Sequence, residues 1–208
     1  RGARLETMSK HHRNRNWAPA PQPLPEDAHV IDDHTHVASV VPFSHAMSHE
    51  AVEKGQDEVP VYSVDELLEQ ARNVGVEGVI DCGCELPNLM TAIDMAREHP
   101  GVVHAAIAIH PNEAVLHGHR GVPGPDGLPL KYQPWHDIPF DDAMAEVHRL
   151  ATTYPDQVVA IGETGMDLFR TGEGAKELQR DAFRAHIALA KELNLPMQIH
   201  DRDSHKEV

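Results

Sequence analysis

His29-Val30-Ile31-Asp32-Asp33-His34-Thr35-His36 is a short apolar run that ends in two histidines one residue apart. Residues two apart on a β-strand point to the same face, so His34 and His36 can aim two imidazoles at one point in space. That is a spacing suited to a metal ion. The chain has 17 histidines, and any one taken alone is more often a surface or packing residue than a ligand. What singles out this pair is its period-two spacing, the preceding Asp32 and its place at the close of a strand-like run.

Two further runs close in the same way. Val158-Val159-Ala160-Ile161-Gly162 leads into Glu163, and Met197-Gln198-Ile199 leads into His200. A carboxylate at a strand end can merely cap a helix or pair with a cation, yet Gly162 and Gly165 around Glu163 imply close backbone approach. Between these runs the pattern alternates. Strands are expected at His29 to Asp33, Gly78 to Cys82, Val102 to Ile109, Gln157 to Gly162 and Pro196 to His200. Helices are expected from the capping box Ser63-Val64-Asp65-Glu66 through Val74, from about Pro87 to Pro100, from Asp141 to Thr153 and from about Ala175 to Leu193. A long Gly- and Pro-rich loop from Pro111 to about Pro139 interrupts them and is expected to roof the pocket.

Alternation of this kind means an α/β fold with a parallel sheet and helical crossovers. No Gly-rich phosphate loop follows the first strand, which disfavours an open dinucleotide-binding sheet. Candidate ligands at the ends of strands one, four and five converge naturally in the mouth of a TIM-like (β/α)8 barrel. A complete barrel takes about 250 residues, whereas this chain has 208 and five expected strands. The expectation is therefore a barrel truncated to about its first five β/α units, with two open edges, in a fragment of a longer protein.

Residues 1–27 are basic and then proline-rich (Pro19, Pro21, Pro23, Pro25) and read as a disordered tail ahead of a hydrolase-type region at 28–208. Met8 as a natural start, or a fragment boundary, would each account for the opening Arg1. The basic stretch Lys10 to Arg15 reads as a solvated tail before it reads as a nucleic-acid contact. Lys and Arg number 18 against 33 Asp and Glu, a net charge of −15, so polyanions are repelled at long range. A nucleic-acid substrate must then be gripped locally, by bound cations and a few arginines, at a strand end rather than along a duplex. Cys82 and Cys84, the only cysteines, are too few for a disulfide framework and point to a reducing cytoplasm; strand packing is the first reading for them and metal binding the second. The sequence has neither a membrane-length apolar stretch nor a signal-peptide pattern, so a soluble protein is expected.

Asp32-Asp33-His34-Thr35-His36, Ile109-His110-Pro111, Gly162-Glu163-Thr164-Gly165-Met166-Asp167 and His200-Asp201-Arg202-Asp203 fall in the order seen in the TatD family of metal-dependent deoxyribonucleases, within the amidohydrolase superfamily. The stretch Gln179 to His200 also resembles the family's helix leading into its fifth strand. This resemblance spans nearly everything from residue 28 onward. It implies two divalent ions at the C-terminal face of the barrel, with His34 and His36 on one, His200 on the other and Glu163 bridging both. It further implies that His110 lines the substrate pocket, with Asp167 and Arg202 as additional contacts; Arg202 beside a metal suits phosphate recognition. By the same likeness Glu163, His110 and Arg202 carry catalysis. Two cations together can activate a water and stabilise the entering and leaving oxygens of a phosphodiester. Departures within the motifs are mild: Met166 where leucine is common, and Asp201 and Ser204 where other residues are usual. The family's histidine after strand six and aspartate after strand eight have no counterpart among these 208 residues, and an inactive or nearly inactive fragment is expected.

The substrate implied is DNA, attacked exonucleolytically at single-stranded ends, with no stable protein partner and no membrane. Zinc, manganese or magnesium would each accept imidazole and carboxylate donors, the histidines leaning away from magnesium alone. Two rivals share parts of this reading: hydrolysis of amides, esters or lactones at the same centre, and a non-catalytic partial barrel serving as an interaction domain.

Overall fold

The computed structural model describes residues 23–25, 27–57, 60–118 and 130–208. Of the expected tail, residues 1–22 and 26 lie outside the described residues, as do 119–129 of the expected roofing loop. Five strands, β1 (Val30–Thr35), β2 (Val76–Gly83), β3 (Val103–Ile107), β4 (Val158–Asp167) and β5 (Met197–Arg202), form one sheet in the order β1-β2-β3-β4-β5. Every pairing is parallel. An open doubly wound sheet reverses its strand order at a switch point, whereas a barrel adds each strand beside the last. Sequential order with helical crossovers is thus the barrel pattern, carried through five strands. The arc is curled enough for Gln198 on β5 to donate through Nε2 to the Asp33 carbonyl on β1. At its two ends Ile31 on β1 and Ile199 on β5 are left exposed.

Helices α1 (Val37–Glu53) and α2 (Val64–Asn73) link β1 to β2, and α3 (Leu86–Glu98) links β2 to β3. The short α4 (Pro111–Ala114), a 3-10 turn at Pro134–Asp137 and α5 (Phe140–Thr153) link β3 to β4. A 3-10 turn at Glu173–Ala175 and α6 (Lys176–Leu193) complete the path to β5. The core lies between these helices and the outer face of the sheet: Leu89, Ile93, Val103, Ile107, Val147 and Ile161 are almost fully buried together. Each such aliphatic side chain contributes about 1.5–3 kcal/mol by leaving water. The inner face is built from small residues instead, Cys82, Ala106 and Ala160, with Ile80 and Cys84 against them. That leaves room in the barrel interior for the polar groups at its mouth.

The local signals explain the boundaries. Ser63 caps α2, its Oγ accepting from the Glu66 amide at 3.3 Å while its own amide donates to Glu66 Oε2 at 2.8 Å. Asn194, in the left-handed conformation at φ 54°, stops α6. Helix α1 carries no hydrophobic stripe to announce it. Its buried residues are Val37, Ser44, Ser48 and Ala51, at helical spacing but half polar, and Pro42 sits inside it. Ser44 satisfies its own hydroxyl by donating to the Val40 carbonyl at 2.7 Å. Strand β4 runs five residues past the expected end at Gly162, because Thr164, Gly165, Met166 and Asp167 pair with Ile199, His200, Asp201 and Arg202 of β5. The segment expected to be loop from Pro111 contains α4 and the 3-10 turn. Among the described residues no helix is long and apolar enough to cross a membrane.

Candidate metal centre

The C-terminal ends of β1, β3, β4 and β5 bring six side chains to one point, and Glu163 stands at its middle. Glu163 Oε2 is 3.5 Å from His34 Nε2 and 3.9 Å from His36 Nε2. Its other oxygen, Oε1, is 2.5 Å from His200 Nδ1 and 3.9 Å from His110 Nε2. His200 Nε2 in turn lies 3.1 Å from Asp167 Oδ2. Two donor groups result, His34–His36–Glu163 and His110–Asp167–His200, and in each the ligand atoms all lie within 4.8 Å of one another. The carboxylate of Glu163 presents one oxygen to each group, as a bridging role requires.

Backbone and side-chain partners aim these groups. Nδ1 of His36 is 3.3 Å from the Cys82 carbonyl, an acceptor only, so in the neutral ring that nitrogen carries the proton and the Nε2 lone pair faces Glu163. His110 is held the other way. Its Nδ1 accepts from the Asn112 amide at 3.1 Å, so in the neutral ring the proton sits on Nε2. His110 as held offers a hydrogen-bond donor, while His36 offers a lone pair. Asp167 accepts from Asn112 Nδ2 at 3.0 Å and from the Arg170 amide at 2.8 Å, and its own amide donates to Gln179 at 2.8 Å. Behind His110, the fully buried His186 on α6 accepts the Ile109 amide at 3.1 Å and bonds to the Ala182 carbonyl at 2.8 Å.

Burial by itself would raise the Glu163 carboxyl, but the bond from His200 and the neighbouring imidazoles outweigh it and hold it down at about 2. Asp167 is likewise held down at about 2 against burial, by His200, the Arg170 amide and Asn112. Burial works against the charged form of His200 too, yet its bonds to Asp167 and Glu163 lift it to about 9. Without a metal, then, an imidazolium lies between two carboxylates. Burial and the charge of His200 push His110 down to about 4, keeping it neutral. A site that stabilises a cation between two carboxylates, beside an imidazole lone pair aimed inward, fits divalent ions.

His34, His36, Glu163 and His200, singled out by strand-end patterning, and His110 and Asp167, implied by the family resemblance, all meet here. Arg202 does not join them: its guanidinium lies 3.9 Å over the ring of Phe169, at the rim. The cysteines, read first as strand packing, pack on the inner face and also touch the centre. Cys84 Sγ is 3.7 Å from Glu163 Oε2, and Cys82 Sγ is 3.7 Å from His34 Nδ1 and 3.0 Å from Gln198 Oε1. Burial pushes Cys82 up to about 12 and Cys84 upward as well, so both are thiols in the absence of a metal. Asn112 and Gln179 went unremarked as site residues. Asn112 had one signal, its place directly after His110-Pro111.

Comparison with known proteins agrees with this geometry. Residues 31–208 match the family described as TatD related DNase. A Bacillus subtilis protein named uncharacterized metal-dependent hydrolase YabD is 32% identical over 145 residues, covering 70% of this chain and 47% of that protein. The 3'-5' ssDNA/RNA exonuclease TatD of Erwinia tasmaniensis is 31% identical over 142 residues, covering 68% and 45%. Among solved structures, the TatD homolog YjjV of Escherichia coli K12 superposes with a TM-score of 0.57 at 24% identity, over 85% of this chain and 52% of that one. An uncharacterized amidohydrolase from Saccharomyces cerevisiae gives 0.59 at 15% identity, over 86% and 49%. The chain spans about half the length of the curated relatives it matches. With its barrel order, its two donor groups and a family match over nearly all the described residues, the chain belongs to the TatD family.

Proposed function

We propose that this chain supplies the metal-binding part of a hydrolase that removes nucleotides from the ends of single-stranded DNA. The observation that carries the reading is Glu163, whose two carboxylate oxygens face two separate histidine-containing groups. His34 and His36 would hold one divalent ion, His200 with Asp167 the other, and Glu163 both. Ions so placed supply Lewis acidity toward a phosphodiester and its attacking water. The histidines favour zinc or manganese over magnesium.

The chain's own residues divide the remaining work. His110, neutral and protonated on Nε2, donates a hydrogen bond to a non-bridging phosphate oxygen while Asn112 fixes its tautomer. The donor from Asn112 and the packing of Gln179 hold Asp167 in place. Arg202 contributes positive charge at the rim of a protein whose net charge of −15 keeps bulk polyanions away. Two unpaired thiols, Cys82 and Cys84, suit a reducing cytoplasm. Relatives named ssDNA/RNA exonucleases support the choice of nucleic acid over small amides and esters.

Calorimetric titration with manganese and zinc tests the centre. Two ions per chain are expected, with Glu163→Gln losing both and His34→Ala losing one; no binding, or binding indifferent to Glu163→Gln, refutes the reading. Substrate class is tested by metal-dependent binding of single-stranded DNA and RNA oligonucleotides against small ester and amide panels. Turnover by the 208 residues alone is expected to be slow or absent, since the family's later histidine and aspartate lie outside them. Rapid nucleotide release would overturn that part.

A further inference from the structure

Resting on the nucleic-acid reading above, we infer that Phe169 and Arg202 form a rim subsite that grips a second phosphate of the same single strand, with the Phe169 ring holding the guanidinium in place. Phe169 is one of four phenylalanines in the chain and is 38% exposed, although a large aromatic ring ordinarily gains by burial. Its ring is covered by Arg202, whose Cζ stands 3.9 Å from the centroid, and approached by Arg170 at 5.2 Å. A guanidinium whose Cζ sits over a ring is held there through the carbon while its N–H donors extend past the ring, and those donors are the fork that matches phosphate oxygens. The stack also restricts a long, flexible side chain before the ligand arrives.

The backbone places this stack beside the chemistry. Arg202 pairs with Asp167 in the β4–β5 register, and the Leu168 amide donates to the Arg202 carbonyl at 2.9 Å. Two residues after His200 on the same strand, Arg202 falls on the same face and about 7 Å further out. A strand whose reacting phosphate lies at Glu163 and His200 therefore has its neighbouring phosphodiester within reach of the rim. Asp203, exposed beside Arg202, opposes broad anion binding there, so contact depends on the directed fork more than on charge alone.

The test is fluorescence anisotropy with a labelled phosphorothioate oligothymidylate that resists cleavage, with and without manganese, and inorganic pyrophosphate as competitor. Phe169→Ala, which changes no charge, is expected to weaken binding about fivefold, Phe169→Tyr to retain it, and Arg202→Lys to weaken it about tenfold. Arg202→Ala should lower the slope of log affinity against log salt by about 0.7, the value of one single-strand phosphate contact, while Phe169→Ala leaves the slope unchanged. Equal melting temperatures verify that the variants fold. If wild type binds the oligonucleotide and Phe169→Ala matches it within twofold, the subsite is refuted and the nucleic-acid reading stands. If wild type ignores the oligonucleotide but binds pyrophosphate in a Phe169-dependent manner, the stack is confirmed as a phosphate grip and the nucleic-acid substrate is refuted. Binding of neither probe overturns both.

Discussion

Gly165→Ala is the substitution that should most cleanly separate an intact centre from a collapsed one. Gly165 has φ 137°, a region L side chains rarely adopt, and it pairs directly with His200 across β4 and β5. A methyl group there would fall well inside contact distance of the His200 carbonyl oxygen and 3.1 Å from its amide nitrogen. The obstacle is backbone, so no rotamer change relieves it. Relief requires either rotating residue 165 toward negative φ or moving β5 away from β4, and both displace His200 from Glu163 Oε1. Backbone strain of about 1–3 kcal/mol and overpacking of about 1–3 kcal/mol sum to about 2–6 kcal/mol. Urea unfolding of the metal-free protein measures the loss, and the thermal shift on adding manganese reports the centre. Wild type should be stabilised by the ion and Gly165→Ala should not respond. Gly174→Ala is the control, since a methyl there meets nothing within 4 Å. A Gly165→Ala protein within about 0.5 kcal/mol of wild type, with its manganese response intact, would refute the proposed approach of β5 to β4.

Without metal, His200 lifted from 6.5 to about 9 contributes stability that is fully present below about pH 6.5 and lost as pH rises through about 9. That contribution is on the order of 3 kcal/mol. Glu163 and Asp167, held at about 2, contribute stability that is present above about pH 4.5 and lost as pH falls toward 2. His110 and His186, pushed down to about 4 by burial, also lose stability as pH falls from about 6.5 toward 4, so denaturation midpoints should peak near pH 6.5 and fall on either side, and His200→Ala should abolish the alkaline limb. Manganese should remove that limb in wild type too, with proton release detectable by calorimetry in two buffers of different ionisation enthalpy. His186→Phe leaves the Ile109 amide buried without its acceptor and should cost about 1–3 kcal/mol in urea unfolding, while His186→Gln, which can still accept, should cost less. Ser63→Ala removes the cap of α2 and should cost about 1 kcal/mol without touching metal affinity.

The order of the fold was legible because a parallel barrel repeats one unit, and each unit carries local signals: the Ser63 capping box, Pro87 in the first turn of α3, the periodic face of α6. Helix α1 was not legible for a physical reason. An apolar stripe is what marks a helix in a sequence, and α1 instead buries Ser44 and Ser48, Ser44 satisfying its hydroxyl within the helix on the Val40 carbonyl. Its internal Pro42 argues locally against a helix, and only packing against the rest of the domain overrides that.

The centre itself shows how a misplaced strand end hides chemistry. Ending β4 at Gly162 puts Glu163 just past the strand end and leaves Asp167 to be taken from the family likeness. With β4 carried to Asp167, period-two alternation places residues 163, 165 and 167 on one face. Glu163 and Asp167 then point into the same mouth, with Gly165 between them where the β5 backbone comes too close for any side chain. Gly165, read from the sequence as a place of close backbone approach, is what allows the strand to continue beside His200. The rule that paired His34 with His36 would have paired Glu163 with Asp167 as well. Hydrogen bonding then separates what alternation cannot: the Nδ1 of His36 faces the Cys82 carbonyl, an acceptor, whereas the Nδ1 of His110 accepts from the Asn112 amide, so the two neutral rings present opposite Nε2 groups.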